Sequence, residues 1–119
     1  MDLKVTPHDG YILAQTSGPL DESAREPFRA KLHPLFANRG TRLIVDLGGS
    51  PRINSPGIGN LVALVADANT NDSRVILCNL QPFVASVMSV TKLNTYFEIA
   101  ADTEAAIAGA RQPRPAANL

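Results

Sequence analysis

The chain is poor in cysteine, carries no excess charge of either sign, and has no apolar run long enough to span a bilayer. Each shortage excludes something. Cys78 is the only cysteine, so no internal disulfide forms, which suits a reducing compartment. It falls in the apolar run Val75-Ile76-Leu77-Cys78 and reads as a small buried hydrophobe, not a catalytic thiol. Eleven basic residues balance eleven acidic ones. With no basic stripe and no aromatic platform, nucleic acid is not an expected partner. The absence of a spanning run argues against direct membrane insertion. Met1-Asp2-Leu3-Lys4-Val5 has no cationic head followed by an apolar stretch, so no secretory signal is expected. The expectation is a cytoplasmic protein, attached to a membrane at most through a partner. No cluster of Cys, His and carboxylates has metal-ligand spacing, and neither a metal nor a cofactor is expected.

What is present suits one ordinary domain. The 119 residues are 45% hydrophobic and 18% charged, enough for a single core and too few for two. Leu3–Thr6 and Tyr11–Ser17 read as a hairpin around His8-Asp9-Gly10, with Pro7 ending its first strand. Asp21 is placed to cap a helix carrying Ala24, Phe28, Leu32, Leu35 and Phe36 at helical spacing. Pro34 predicts a bent or interrupted segment from about Glu22 to Asn38. Leu43-Ile44-Val45-Asp46-Leu47 is nearly continuous in apolar residues, as expected of a strand covered on both faces. Gly48-Gly49-Ser50 lacks the Gly-Lys-Ser/Thr of a phosphate loop and reads as a plain flexible loop.

A helix is predicted from Pro56 to about Thr70, with Ile58, Leu61, Val62, Val65 and Ala68 on one face. Gly59, Asn60, Ala63 and Asp67, small or polar, lie opposite. Ser73–Asn79 is a second buried strand, and strand–helix–strand implies a right-handed crossover and a parallel pair. Pro82–Thr91 reads as a short helix packing Phe83, Val84, Val87 and Met88 inward. Tyr96–Ile99 is a last strand, and Asp102 caps a final helix with Ala105, Ala106 and Ile107. Residues 111–119 read as a flexible tail after a domain of residues 1–110. The fold class is α/β: a mixed, partly parallel sheet of about five strands packed with about four helices.

The segment Ile53-Asn54-Ser55-Pro56-Gly57 joins the central strand to this helix. Serine just before a proline suits a helix start, because Ser caps well and Pro needs no partner in the first turn. Ser55 thus reads either as a plain cap or as a hydroxyl where an added phosphate is tolerated at the positive end of a dipole. Small residues at Gly59 and Ala63 would let a partner approach closely, and Arg52 is placed to steer an acidic partner or pair with a phosphate.

Several of these segments together resemble the STAS domain, the fold of bacterial anti-sigma factor antagonists, over roughly Leu3 to Gly109. Gly18-Pro19-Leu20-Asp21 resembles the family's Gly-x-Leu-Asp lead-in to the first helix. Leu43-Ile44-Val45-Asp46-Leu47 resembles its central strand, and Ile53 to Leu61 its Asp-Ser-x-Gly-Leu-x-x-Leu signature. The resemblance implies that Ser55 is phosphorylated by an anti-sigma factor with serine-kinase activity, that phosphate abolishes binding, and that a phosphatase reverses it. It implies a partner surface of Asp21, Arg52, Asn54, Ser55, Pro56, Gly57, Gly59, Asn60 and Ala63. Asn54 stands where the family usually has an acid, keeping its shape and acceptor oxygen without the charge. Pro56 replaces the more usual Ser or Thr.

A nucleophilic Ser55 is a weaker reading. Ile53 occupies the first glycine position of the hydrolase elbow Gly-x-Ser-x-Gly, and nothing places His8 or His33, both read as ordinary surface residues, beside it. The expectation is therefore a non-enzymatic binding module. The alternative is a STAS scaffold in a stress-signalling assembly, or an accessory subunit of a lipid transport system, without phosphorylation. Homodimer formation stays open.

Overall fold

The computed structural model describes residues 1–113. The expected tail therefore lies largely outside the described residues. Five strands form one sheet in the order β1-β2-β3-β4-β5: β1 (Asp2–His8), β2 (Tyr11–Ser17), β3 (Arg42–Gly49), β4 (Arg74–Cys78) and β5 (Glu98–Ala100). β1 pairs antiparallel with β2, and the remaining pairs are parallel. Pro7 does not end β1. It pairs with Ile12 and the strand continues to His8, because β1 is an edge strand that needs no N–H on its outer side. His8 lies at that strand's end, stacked on Tyr11.

β3 and β4 are central, and their side chains alternate between two cores. Leu43, Val45, Leu47, Val75 and Leu77 pack with Leu20, Phe28, Leu61, Leu64 and Met88 on one face. Ile44, Ile76 and Cys78 pack on the other face against Ala106 and Ala110 of α4 (Thr103–Ala110). Three helices cover the first face: α1 (Arg25–Lys31), α2 (Ser55–Thr70) and α3 (Pro82–Val90). The interruption expected in the first helical segment occurs at Leu32. There α1 stops and a 3-10 turn, His33–Ala37, begins with Pro34 in its first turn. Asp102 caps α4, accepting from the Ala105 N–H at 2.8 Å.

Some expectations change. Leu64 joins Leu61, Val65 and Ala68 on the buried face of α2. The last strand is Glu98–Ala100, because Tyr96 ends a 3-10 turn and Phe97 is buried as the chain enters the sheet. Phe83 does not pack inward. It is 48% exposed, since Val84 and Met88 already dock α3 on the core. Gly48 and Gly49 are the end of β3, not a flexible loop, and Ser50 is buried with its hydroxyl 2.7 Å from that of Thr16. His33 is no ordinary surface residue: it is half-buried, with Nδ1 2.7 Å from an Asp67 carboxylate oxygen. Arg74 is buried and ties β4, β5 and α4 together. Its guanidinium pairs with the Glu98 carboxylate and donates to the Gly109 and Gln112 carbonyls at 3.0 Å each.

Candidate functional site

Two distant stretches of sequence meet at the start of α2. Leu20 donates its N–H to the Arg52 carbonyl at 2.9 Å, and its carbonyl accepts from the Asn54 N–H at 3.1 Å. Leu20 and Ile53 form a parallel bridge, and both are buried. The Asn60 side chain adds a third tie, donating to the Asp21 carbonyl at 3.0 Å. The Gly-Pro-Leu-Asp lead-in and the Asn-Ser-Pro-Gly segment are thus two halves of one rigid corner.

The cap of α2 is Asn54, one residue before the position suggested by the sequence. Its backbone is extended, and its side-chain oxygen accepts from the Gly57 N–H at 3.0 Å. Ser55 and Pro56 are the first two helical residues, and both are exposed. The Ser55 hydroxyl is therefore released from capping and faces outward. The sequence misled here because Asn and Ser cap comparably, and proline is tolerated at either of the first two helical positions.

The helix mouth offers fewer free donors than a bare N-terminus would. Pro56 has no N–H, Gly57 gives its own to Asn54, and Ile58 gives its own to the Asn54 carbonyl at 2.9 Å. Only the Ser55 N–H of these four is not so engaged.

Gly57 is not a surface residue. It is buried, and a Cβ built on it would lie 1.8 Å from the Leu20 carbonyl oxygen. Its smallness serves the contact between α2 and the Leu20 backbone, which corrects its assignment to a partner surface. Gly59 and Ala63 are exposed, while Asn60 is half-buried through its bond to Asp21. Ser55, Gly59 and Ala63 follow one another at four-residue spacing, so they form an exposed lane of small side chains along α2.

Charges flank the corner. Asp21 accepts from both the hydroxyl and the N–H of Ser23, and these bonds hold its carboxyl below the usual carboxylate range. It is ionised at neutral pH. The Asn54 amide donates to the Glu22 carboxylate at 3.4 Å, which brings a carboxylate beside a position that lacks its own. Arg52 is exposed, with its guanidinium carbon 6.0 Å from the centre of the Phe83 ring. Pro19, Leu20, Asp21, Arg52, Ile53, Asn54 and Phe83 line a cleft of about 270 Å³. Pro19, Leu20, Ile53 and Phe83 belong to this patch but not to the partner surface expected from the sequence, and Phe83 is its one aromatic residue. A larger hollow of about 410 Å³ runs between α1 and α2, lined by Arg25, Phe28, Arg29, His33, Asn60 and Ala63.

Two chemistries find no support in this arrangement. Both histidines are engaged elsewhere, His8 stacked on Tyr11 and His33 bonded to Asp67, and no base is assigned to Ser55. Cys78 is buried, and burial pushes its thiol up to about 11, which leaves it protonated and a poor nucleophile at neutral pH. Among the described residues no group of three or more His, Cys, Asp or Glu is placed to hold a metal ion. Nor is any helix among them long and apolar enough to cross a membrane.

Comparison with known proteins agrees with this geometry. The STAS domain family model matches residues 2–106. BtrV of Bordetella bronchiseptica, a proposed anti-sigma factor antagonist, is 25% identical over 115 residues, covering 97% of this chain and 99% of that protein. An anti-sigma factor antagonist from Mycobacterium paratuberculosis has a similar fold, with a TM-score of 0.80 at 19% identity over 93% of this chain and 94% of that one. So does the phosphorylated form of the Bacillus cell-fate determinant SpoIIAA, with a TM-score of 0.66 at 23% identity over 87% and 96%.

Proposed function

This chain belongs to the STAS domain family, and from that footing we propose that it is an anti-sigma factor antagonist switched by phosphorylation of Ser55. It acts by contact. In its unmodified form it docks an anti-sigma factor over the start of α2 and so releases a sigma factor. The anti-sigma factor is also the kinase that transfers a phosphoryl group to the Ser55 hydroxyl, and a separate phosphatase removes it. The protein works in the cytoplasm and catalyses nothing itself.

The single observation that carries this reading is the division of labour between Asn54 and Ser55. Asn54 makes the cap, so the neighbouring hydroxyl is exposed and not required for the fold. A phosphoserine brings about −1.5 to −2 charges at neutral pH. At the positive end of a helix dipole the domain tolerates it. A partner packed over the same spot has to desolvate a dianion, which costs several kcal/mol. The modification therefore removes an interface without unfolding the protein. The relatedness to BtrV and the fold shared with SpoIIAA support the same role.

The experiment is a pull-down from the native cell with wild-type protein, Ser55→Ala and Ser55→Asp, followed by mass spectrometry of the peptide containing Ser55. The reading expects a kinase-type partner retained by wild type and Ser55→Ala, lost by Ser55→Asp, and phosphate on Ser55 alone. A stable complex indifferent to all three forms, with no phosphate on Ser55, would assign the chain instead to scaffold or transport-accessory duty.

A further inference from the structure

Arg52 takes no part in the ion pairs among the described residues. It rests over Phe83 at 6.0 Å, the outer limit of a cation–π contact, so it is lightly held. Phe83 is half in water although Val84 and Met88 suffice to dock α3. A solvent-facing aromatic beside an unneutralised arginine has the composition of a binding hot spot. Both line the 270 Å³ cleft, together with Pro19, Leu20, Asp21, Ile53 and Asn54, the residue next to Ser55 in the chain.

Resting on the reading of Ser55 above, we propose that this cleft is the anchor of the docking surface and that Arg52 relays the state of Ser55 to it. The anchor receives an aliphatic side chain of the anti-sigma factor, flanked by a carboxylate. The carboxylate pairs with Arg52, because the Asp21 carboxylate, which also lines the cleft and is already bonded to Ser23, repels a second acid.

The relay follows from the shortage of donors at the helix mouth. A phosphoryl group on Ser55 finds only one unengaged N–H among the first four helical residues. Arg52 lies three residues earlier, a backbone span of at most about 10 Å, which the arginine stem and the phosphoserine arm close between them. A forked, charge-assisted bond to phosphate outcompetes an exposed cation–π contact at its distance limit. Arg52 then leaves Phe83, and the anchor loses its cation and part of its wall. The phosphate acts twice: it repels the partner directly, and it withdraws the residue that the partner's acid requires.

The relay is tested first on the protein alone. Phosphoserine is incorporated at position 55 by codon suppression, and the Phe83 ring and Arg52 Nε–H resonances are followed by NMR. Phosphorylation is expected to shift both, and Arg52→Ala to abolish the Phe83 response. An unmoved Phe83 ring, or one that moves equally in Arg52→Ala, overturns the relay.

The anchor is tested with the anti-sigma factor recovered by the unmodified chain. Phe83→Ala, with its fold checked by circular dichroism, is expected to bind at least tenfold more weakly. Phe83→Leu should recover part of that loss. If phosphoserine abolishes binding while Phe83→Ala binds as wild type does, the anchor is wrong and the Ser55 switch stands. If phosphoserine leaves binding intact, the switch itself fails.

Discussion

The two ends of α2 are built from similar small polar residues and use them differently. At the C-terminal end each such group is turned inward on the chain. Asp67 takes the His33 ring at 2.7 Å and the Asn71 amide at 3.1 Å, and Thr70 donates to the Ala66 carbonyl at 3.0 Å. Arg39 pairs with Asp72 just beyond. At the N-terminal end Asn54 and Asn60 fasten the corner, while Ser55 and Arg52 are left facing solvent. A polar side chain that the fold consumes explains itself. One that the fold supports but does not use needs a reason outside the chain.

Mutations sharpen this contrast, and the largest effect is expected at Gly57. Gly57→Ala drives a methyl into the Leu20 carbonyl, where only backbone movement gives relief. A loss of about 3 kcal/mol or more is expected, at or above the upper end of ordinary overpacking, read from urea denaturation. Asn54→Ala should cost about 1 kcal/mol as a lost cap, and Asn54→Asp should restore it. If Asn54→Ala is silent while Ser55→Ala destabilises, the cap assignment is reversed. At the other end, His33→Ala should lower stability by about 1 kcal/mol through its lost bond to Asp67, without altering partner affinity. Ser55→Ala is expected to change stability by less than about 0.5 kcal/mol, as for a surface residue without structural duty. A thermal melt alongside wild type checks it.

How far the sequence could be read tracks how local each determinant is. The β3 run Leu43–Leu47 and the periodic face of α2 announce themselves within a few residues, and the element order followed from such local patterns. Pro34 marked the break after α1. The misreadings lie where a local pattern has two physical uses. Gly57 is small because Leu20, 37 positions earlier, passes against it, and sequence cannot distinguish that from room left for a partner. Phe83 and Val84 are adjacent in a nine-residue helix, too short for periodicity to decide which of them faces Arg52 and which the core. The His33–Asp67 contact spans 34 positions and leaves no local signal. At the site, the segment was found but the cap was read one residue late, at Ser55 instead of Asn54, because both residue types cap helices.

Calorimetric titration of the proposed partner kinase with the unmodified and the Ser55-phosphorylated chain decides whether one phosphate removes the interface. At least a hundredfold loss of affinity, about 2.7 kcal/mol, is expected, with no fall in the melting temperature of the modified chain. Equal affinity for both forms, or a loss explained by unfolding of the phosphorylated chain, would contradict the switch.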